Sequence, residues 1–423
     1  MTPRSAALED VAHLTLQVGR LLFQNNADTE EVLVSVQRMA GAFGCDPHLL
    51  VTYETLLLTI SKDGDFRTKA GYRVPTMNVN MAVVSAVKEV VAEVEAGSLR
   101  DLPAIGARLD AIEHQPPIYS RWITVAGLSL TAASLSRLFG GDWPTFFVTF
   151  VAGALGTWLR QEMGKRGWNL FLVAFAAAFS SGLVAASAVL LGISHMAALC
   201  LVAPGMIIVP GVPLVNCVQD MIKNHMAIGI SRLGLASFIT LAIAMGLFSA
   251  TALTGVQIPV NETSALPSLA EDALFSACAA LGYLFLFNVP LRFAWVGVLC
   301  GVASHTTRTL CLQHGIGIVE GSLIGALVVG FLAHGFARAF RAPASAFAFP
   351  GVVAMIPGAY AFRAVMGYIQ IIATGAAASP TLVAETLALS ATVIFMVLAI
   401  AIGVAAPVII CAKQGLNKKP HHH

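Results

Sequence analysis

The sequence predicts a polytopic α-helical membrane protein, with ten transmembrane helices arranged as two inverted five-helix repeats behind an N-terminal cytosolic α+β domain. Three observations carry that prediction. The chain of 423 residues is 57% hydrophobic and only 11% charged, whereas a soluble domain is nearer about a quarter charged. From Arg121 onward it runs as a succession of apolar segments, each near the ~20 residues that cross ~30 Å of hydrocarbon. A Pro-Gly pattern that should interrupt a helix then occurs twice, in matching places. The mean hydropathy of +0.77 agrees. A net charge of +2 gives no ground for a nucleic-acid partner. The seven cysteines are scattered without a C-x-x-C pair and the eleven histidines lack ligand spacing, so neither a metal, a cofactor nor a disulfide framework is expected.

Residues 1–118 form the expected cytosolic domain. "DVAHLTLQVGRLLFQ" puts Val11, Leu14, Val18, Leu21 and Leu22 on one helical stripe, and "DTEEVLVSVQRMAGAF" does the same with Val32, Val36, Met39 and Phe43. Asp28 and Glu31 have the spacing of a helix N-cap and its capping-box partner. "LLVTYETLLLTI", the turn "SKDGD" and "FRTKAGYRV" predict two paired strands. Residues 78–96, with Val83, Val87, Val90 and Val94, predict a third helix, and "EHQPPIYSR" links it to the membrane part. No signal-peptide pattern precedes this domain, which is expected to remain in the cytosol.

Hydropathy places spans at 121–139, 143–160, 168–192, 196–217 and 229–254, a first half over 119–256. A second half over 257–415 has spans at 271–288, 290–306, 316–337, 345–370 and 381–411, and the tail 416–423 ends in what reads as a purification-tag remnant. With the N-terminus inside, "RQEMGKRGW", "DMIKNHMAIGISR", "PLR", "ARAFRAP" and "KQGLNKK" fall on the cytosolic side and all carry Lys or Arg. The outer connections carry Arg308 alone, as the positive-inside rule requires for two cytosolic termini.

Span four carries Pro204-Gly205, Pro210-Gly211 and Pro213; span nine carries Pro350-Gly351 and Pro357-Gly358. Aligning Pro210-Gly211 on Pro357-Gly358 sets Asn216 opposite Arg363 and Asp220 opposite Gly367. Five spans are an odd number, so the halves enter the membrane from opposite sides. Proline frees carbonyls of the preceding turn, and lipid tolerates such groups only against protein or a water-filled cavity. Matched interruptions therefore predict a transporter's polar site, against the alternative of a kink that only shapes packing. Arg363 with freed backbone amides suits a carboxylate, Asp220 or free carbonyls suit an ammonium, and Asn216 offers both donor and acceptor. Glu320 and Glu385, with Asp220, are the candidates for a coupled proton; near the outer span ends, the two glutamates read more readily as interfacial residues facing water. Lys223, His225 and Arg232 are expected to be loop charges.

"VGRLLFQNNADTEEVLVSVQRMAGAFG", "PGVPLVNCVQDMIKNHMAIGISRLG" and "FPGVVAMIPGAYAFRAVMGYI" together resemble the threonine/serine exporter family over nearly the whole chain. The resemblance implies a bacterial cytoplasmic-membrane exporter of threonine and serine, driven by protons, with no enzymatic step. It also implies a relation to two-component succinate exporters, here fused in one chain, which keeps a dicarboxylate in play. The family's hydrolase-like view of the N-terminal domain would draw on Asp28, Glu31, Thr52, Glu54 and Arg73, yet no nucleophile elbow or Walker loop accompanies them. The expected partners are the small-molecule substrate, protons and the lipid bilayer, and an oligomer is compatible with the sequence.

Overall fold

The computed structural model describes residues 3–72, 79–256, 266–340 and 342–416. It opens with helices α1 (Pro3–Gln24) and α2 (Thr29–Gly41), a sheet of β1 (Asp46–Val51), β2 (Thr55–Lys62) and β3 (Asp65–Tyr72), and helices α3 (Met81–Glu95) and α4 (Leu102–Glu113). The strands form an antiparallel meander in the order β1-β2-β3. The "KDGD" turn between β2 and β3 holds Asp63 and Gly64 at positive φ, 52° and 88°, the geometry that matches the twist of a two-residue hairpin. Val18, Leu22, Val32, Met39, Leu56, Leu58, Ile60, Val87 and Ile105 are fully buried in the core beneath it.

Here the strand expectation needs correction. "LLVTYETLLLTI" is two strands, because Thr52 closes a tight turn inside it. Its hydroxyl donates to the Thr55 carbonyl (2.8 Å) and accepts from the Thr55 N–H (3.0 Å). Glu54, expected in an alternating strand, is an exposed turn residue instead.

The remaining helices are α5 (Arg121–Leu138), α6 (Trp143–Lys165), α7 (Leu170–Leu190), α8 (Ala197–Met206), α9 (Gly211–Ile222) and α10 (Met226–Thr254). They continue with α11 (Leu269–Leu286), α12 (Ala294–Gln313), α13 (Ile318–Phe340), α14 (Ser345–Val353), α15 (Gly358–Thr374) and α16 (Pro380–Leu416). Helix occupies each of the ten hydropathy segments. Among the described residues, five helices are long and apolar enough to cross a bilayer, and two bent pairs raise the number to seven, so the chain is a polytopic membrane protein. The bent pairs are α8 with α9, at 63°, and α14 with the helix that follows it, at 48°. The more polar α5, α6 and α12 carry Arg137, Arg160 and Arg308. Trp122, Trp143, Trp168 and Trp295 are exposed at or next to helix starts, the position of an interfacial aromatic belt.

In the bundle, α5 packs on α6 and α11, α6 on α7, and α7 on α10, while α8 touches α5, α6 and α7. Likewise α11 packs on α12, α12 on α13, and α13 on α16, while α14 touches α11, α12 and α13. Helix α9 lies against α10 and α16; α15 lies against α16 and α10. The N-terminal unit docks on this bundle through helix ends. Two free N–H groups at the start of α3 donate to the carbonyls of Phe287 (2.8 Å) and Asn288 (3.1 Å), in the turn between α11 and α12. That contact satisfies donors a helix start would otherwise leave unpaired.

The tightest approach joins α5 and α11, where a Cβ on Gly282 would overlap the Thr131 hydroxyl and the Gly127 carbonyl. Because the Gly127 carbonyl is backbone, the contact cannot be relieved by a rotamer. Gly282→Val is therefore expected to destabilise the bundle by about 1–3 kcal/mol, and a lower melting temperature of the detergent-solubilised protein would be the readout.

Candidate functional site

The interrupted helices break once each. Pro204 and Pro350 lie inside α8 and α14, Gly205 and Gly351 follow them within helix, and Pro213 sits in the first turn of α9, where its missing N–H is one the helix start leaves unbonded anyway. The chain leaves helical geometry only just before Pro210-Gly211 and Pro357-Gly358. Both breaks have the same internal bonds: Ile208 N–H to Gly205 and Gly211 N–H to Val209 in one, Met355 N–H to Val352 and Gly358 N–H to Ile356 in the other.

The two breaks also pack on each other. A Cβ on Gly211 would come within 2.5 Å of Ile356 Cδ1, and one on Gly358 within 3.2 Å of Met206 Cγ. Between them lies a void of only about 10 Å³, bounded by Met206, Val209, Val353, Ile356 and Tyr283, a volume at the limit for a single water. The predicted meeting point of the breaks is thus an apolar plug, and the polar groups lie on either side of it.

On one side, a cavity of about 270 Å³ is lined by residues of α5, α8, α12 and α15, including Ala198, Val202, His305, Arg308, Tyr360 and Arg363. Helix α12 supplies His305, Arg308 and Thr309 on one face, by i, i+3, i+4 spacing. Asp272, from the first turn of α11, accepts from Thr309 Oγ1 (2.6 Å) and meets His305 Nδ1 at 2.8 Å. Arg308 donates through Nη2 to His305 Nε2 and through Nη1 to the Met355 carbonyl in the break, at 3.4 Å. A guanidinium only donates, so His305 Nε2 must be the acceptor and the ring proton sits on Nδ1, facing Asp272. The cluster presents two guanidinium groups to the cavity, while its carboxylate stands behind the imidazole.

On the other side, Asn216 and Asp220 of α9 are fully buried with Arg232 of α10. Arg232 Nη1 lies 3.1 Å from Asp220 Oδ2. Arg232, expected to be a loop charge, is instead the largest fully buried side chain among the described residues. The loop between α1 and α2 closes over the group: Asn216 Nδ2 donates to Asn26 O (3.0 Å), Arg232 Nη2 to Ala27 O (3.1 Å), and the Thr29 N–H to Asp220 Oδ1 (3.1 Å).

Asp220 and Arg363, expected to clamp opposite ends of one substrate, therefore belong to different clusters, and only Arg363 lines the cavity. Glu320 is exposed and folded over Gly317, Glu385 is half-buried near the start of α16, and neither lines the cavity. Among the N-terminal candidates, Asp28 caps α2 by accepting the Glu31 N–H (3.0 Å). The other half of the expected capping box is replaced, since the Glu31 carboxylate pairs with Lys88. Asp28, Glu31 and Thr52 are each engaged in separate structural bonds, and Arg73 lies outside the described residues. Sequence reasoning missed Asp272, His305, Thr309 and Tyr360. It ended span seven at residue 306 and so read Arg308 as a loop residue, whereas α12 runs on to Gln313.

A multi-pass membrane protein with a cavity that sets two arginines in a mostly apolar lining beside two interrupted helices has the make-up of a small-solute transporter. The chain belongs to the threonine/serine exporter family: residues 13–254 match the ThrE model, and residues 272–410 match the model described as "Threonine/Serine exporter, ThrE". It is 31% identical over 252 residues to "Probable succinate transporter subunit YjjP" of Escherichia coli strain K12, covering 58% of this chain and 96% of that protein. It is 28% identical over 373 residues to "Probable threonine/serine exporter" of Mycobacterium tuberculosis strain H37Rv, covering 85% of this chain and 70% of that one. No solved structure matches the chain.

Burial alone would raise the Asp28 carboxyl, but the Lys223 ammonium at 3.1 Å and the Glu31 N–H outweigh it and hold the group below the ordinary aspartate range. A lowered folded value means that the stabilisation is complete above the free aspartate value of about 3.9 and lost as pH falls through the folded one. Asp28→Asn is accordingly expected to lower stability by about 1 kcal/mol at neutral pH. Melting curves should show that difference shrinking below about pH 4.

Proposed function

We propose that this chain exports a small carboxylate-bearing metabolite, L-threonine or L-serine, from the bacterial cytosol by alternating access. The observation that carries the reading is the cavity with Arg308 and Arg363 beside the plug of interrupted helices. In this reading ten spans form two inverted halves, 119–256 and 257–415, behind a cytosolic unit over 1–118, with both termini inside. The packing supports it: nearly all the helix contacts of α5 to α10 have counterparts among α11 to α16, the contact of α8 with α10 being the exception, and α9 meets α16 as α15 meets α10. The charges of the connecting loops support the orientation, because under it Lys and Arg gather on the cytosolic side. The cavity then faces outward and the plug closes the path behind it.

Arg363 and Arg308 would hold the carboxylate, with the hydroxyl of Tyr360 within the same lining. Export against a gradient needs a coupled ion, and protons are the proposed one. Of the acids, Asp272 stands one imidazole away from Arg308, a placement that favours it over Glu320 and Glu385. A second reading, a dicarboxylate such as succinate, is favoured by one feature: the cavity lining holds two guanidinium groups and no carboxylate.

Counterflow of radiolabelled L-threonine in proteoliposomes tests both readings. Accumulation driven by internal threonine or serine and unaffected by succinate is the expected result; exchange supported by succinate alone would reassign the substrate. Arg363→Ala is expected to weaken transport at least about tenfold, with Arg363→Lys retaining part of it, while both variants insert and melt like the parent.

A further inference from the structure

Asn216, Asp220 and Arg232 are all fully buried, yet beyond the Asp220–Arg232 ion pair they bond main-chain atoms of a loop from another part of the molecule. Two loop carbonyls sit on Asn216 and Arg232, and one loop N–H sits on Asp220. Burying an ion pair is expensive and is a poor way to anchor a peptide that neutral groups would hold as well. The loop also leaves part of the cluster unused: Asn216 Oδ1 and Arg232 Nε are buried without a hydrogen-bond partner. In a settled structural contact such atoms are nearly always paired.

The ligand that would satisfy this cluster can be read from its chemistry. Arg232 and the Asn216 amide N–H call for a carboxylate, Asp220 calls for an ammonium, and Asn216 Oδ1 calls for one further donor such as a hydroxyl. We infer that Asn216, Asp220 and Arg232 form an inner binding site for a zwitterionic hydroxy amino acid, occupied here by the α1–α2 loop as a tethered mimic. The loop's carbonyls stand where the carboxylate oxygens would be, and the Thr29 N–H stands for the ammonium. This rests on the exporter reading and adds to it a second site on the far side of the plug. Asn216 lies at the same offset from Gly211 as Arg363 does from Gly358, so the inner and outer sites use equivalent positions of the two breaks.

Substrate and loop then compete. The loop is tied down by contacts outside the cluster: Lys223 to Asp28 at 3.1 Å, His225 to Glu30 at 3.4 Å, and the Phe23 ring 5.3 Å from the Arg232 guanidinium. Weakening a tie leaves the three binding side chains intact and raises the fraction of molecules whose site is open, which tightens apparent binding in proportion.

Hydrogen–deuterium exchange of the full chain in nanodiscs, with L-threonine, L-serine or succinate added, tests this directly through the amides of residues 25–31. Threonine and serine should speed exchange there, including at the Thr29 amide now bonded to Asp220, and slow it at the start of α10. Lys223→Ala and His225→Ala should lower the threonine concentration giving half the effect by about two- to fivefold. Asp220→Asn and Arg232→Lys should remove the response. The inference is overturned if threonine and serine leave residues 25–31 unchanged at concentrations that saturate counterflow. It is equally overturned if succinate alone displaces the loop, or if Lys223→Ala loosens the loop without shifting the threonine response. Absence of counterflow with every substrate would instead sink the exporter reading, and the exchange data separate the two failures.

Discussion

Everything in the membrane part is arranged around one constraint: a peptide group in hydrocarbon has no water to bond, and each one left unpaired costs several kcal/mol. Two helices of this chain nevertheless stop mid-span. They do so where Gly211 and Gly358 let the breaks seat against each other, so that each break is shielded by the side chains of the other, Val353 and Ile356 on one side, Met206 and Val209 on the other. Where a carbonyl of the break does reach a polar partner, as Met355 does, the partner is the protein's own Arg308. The interruption is therefore stabilised by being paired, which is why neither could be lost alone.

That plug divides the polar residues into two groups with different chemistry. The one on α11–α12 is basic at its surface, with Asp272 withdrawn behind His305 and Thr309. The one on α9–α10 is balanced, one acid against one base with an amide beside them. In a low-dielectric setting a buried charge is tolerable only with a partner of good geometry, so each cluster constrains the helices that carry it. The α11–α12 pair is locked by Asp272, His305 and Thr309, and the α9–α10 pair by Asp220 and Arg232.

Hydropathy and the repeated Pro-Gly pairs made the helical segments and both breaks legible in the sequence, because apolar length and proline are local signals. The stripes through Val18 and Leu22, Val32 and Met39, and Val87 and Val90 were legible for the same reason, and all are buried. What was hidden depends on contacts between elements. Asp220 and Arg232 lie on either side of a helix turn, and no spacing rule joins them. Arg308 drops a hydropathy window just where α12 continues, so the site's most polar helix was cut short at its most informative residues. Thr52 ended a strand through a hydroxyl bond to Thr55 that an alternating pattern does not register. The proline count misled in the opposite direction, since Pro204, Pro213 and Pro350 sit within helices.

The N-terminal unit ties these features together. Helices α1, α2 and α3 pack on one another, and two of its helix starts are docked on different parts of the bundle. The start of α2 donates to Asp220 of α9, and the start of α3 donates to the Phe287 and Asn288 carbonyls in the turn between α11 and α12. Asn288 reinforces the latter contact by donating to Asn80 (2.8 Å) and accepting from the Ile118 N–H (2.8 Å). The two attachments are unequal in chemistry. The one on α11–α12 combines neutral hydrogen bonds with an exposed Arg292–Glu89 ion pair, whereas the one on α9–α10 covers a fully buried ion pair and leaves Asn216 Oδ1 and Arg232 Nε without a hydrogen-bond partner. Should α9–α10 and α11–α12 move relative to each other, helices packed together and bridging them cannot keep both contacts, and the incompletely satisfied attachment at Asp220 is the one that the energetics release first.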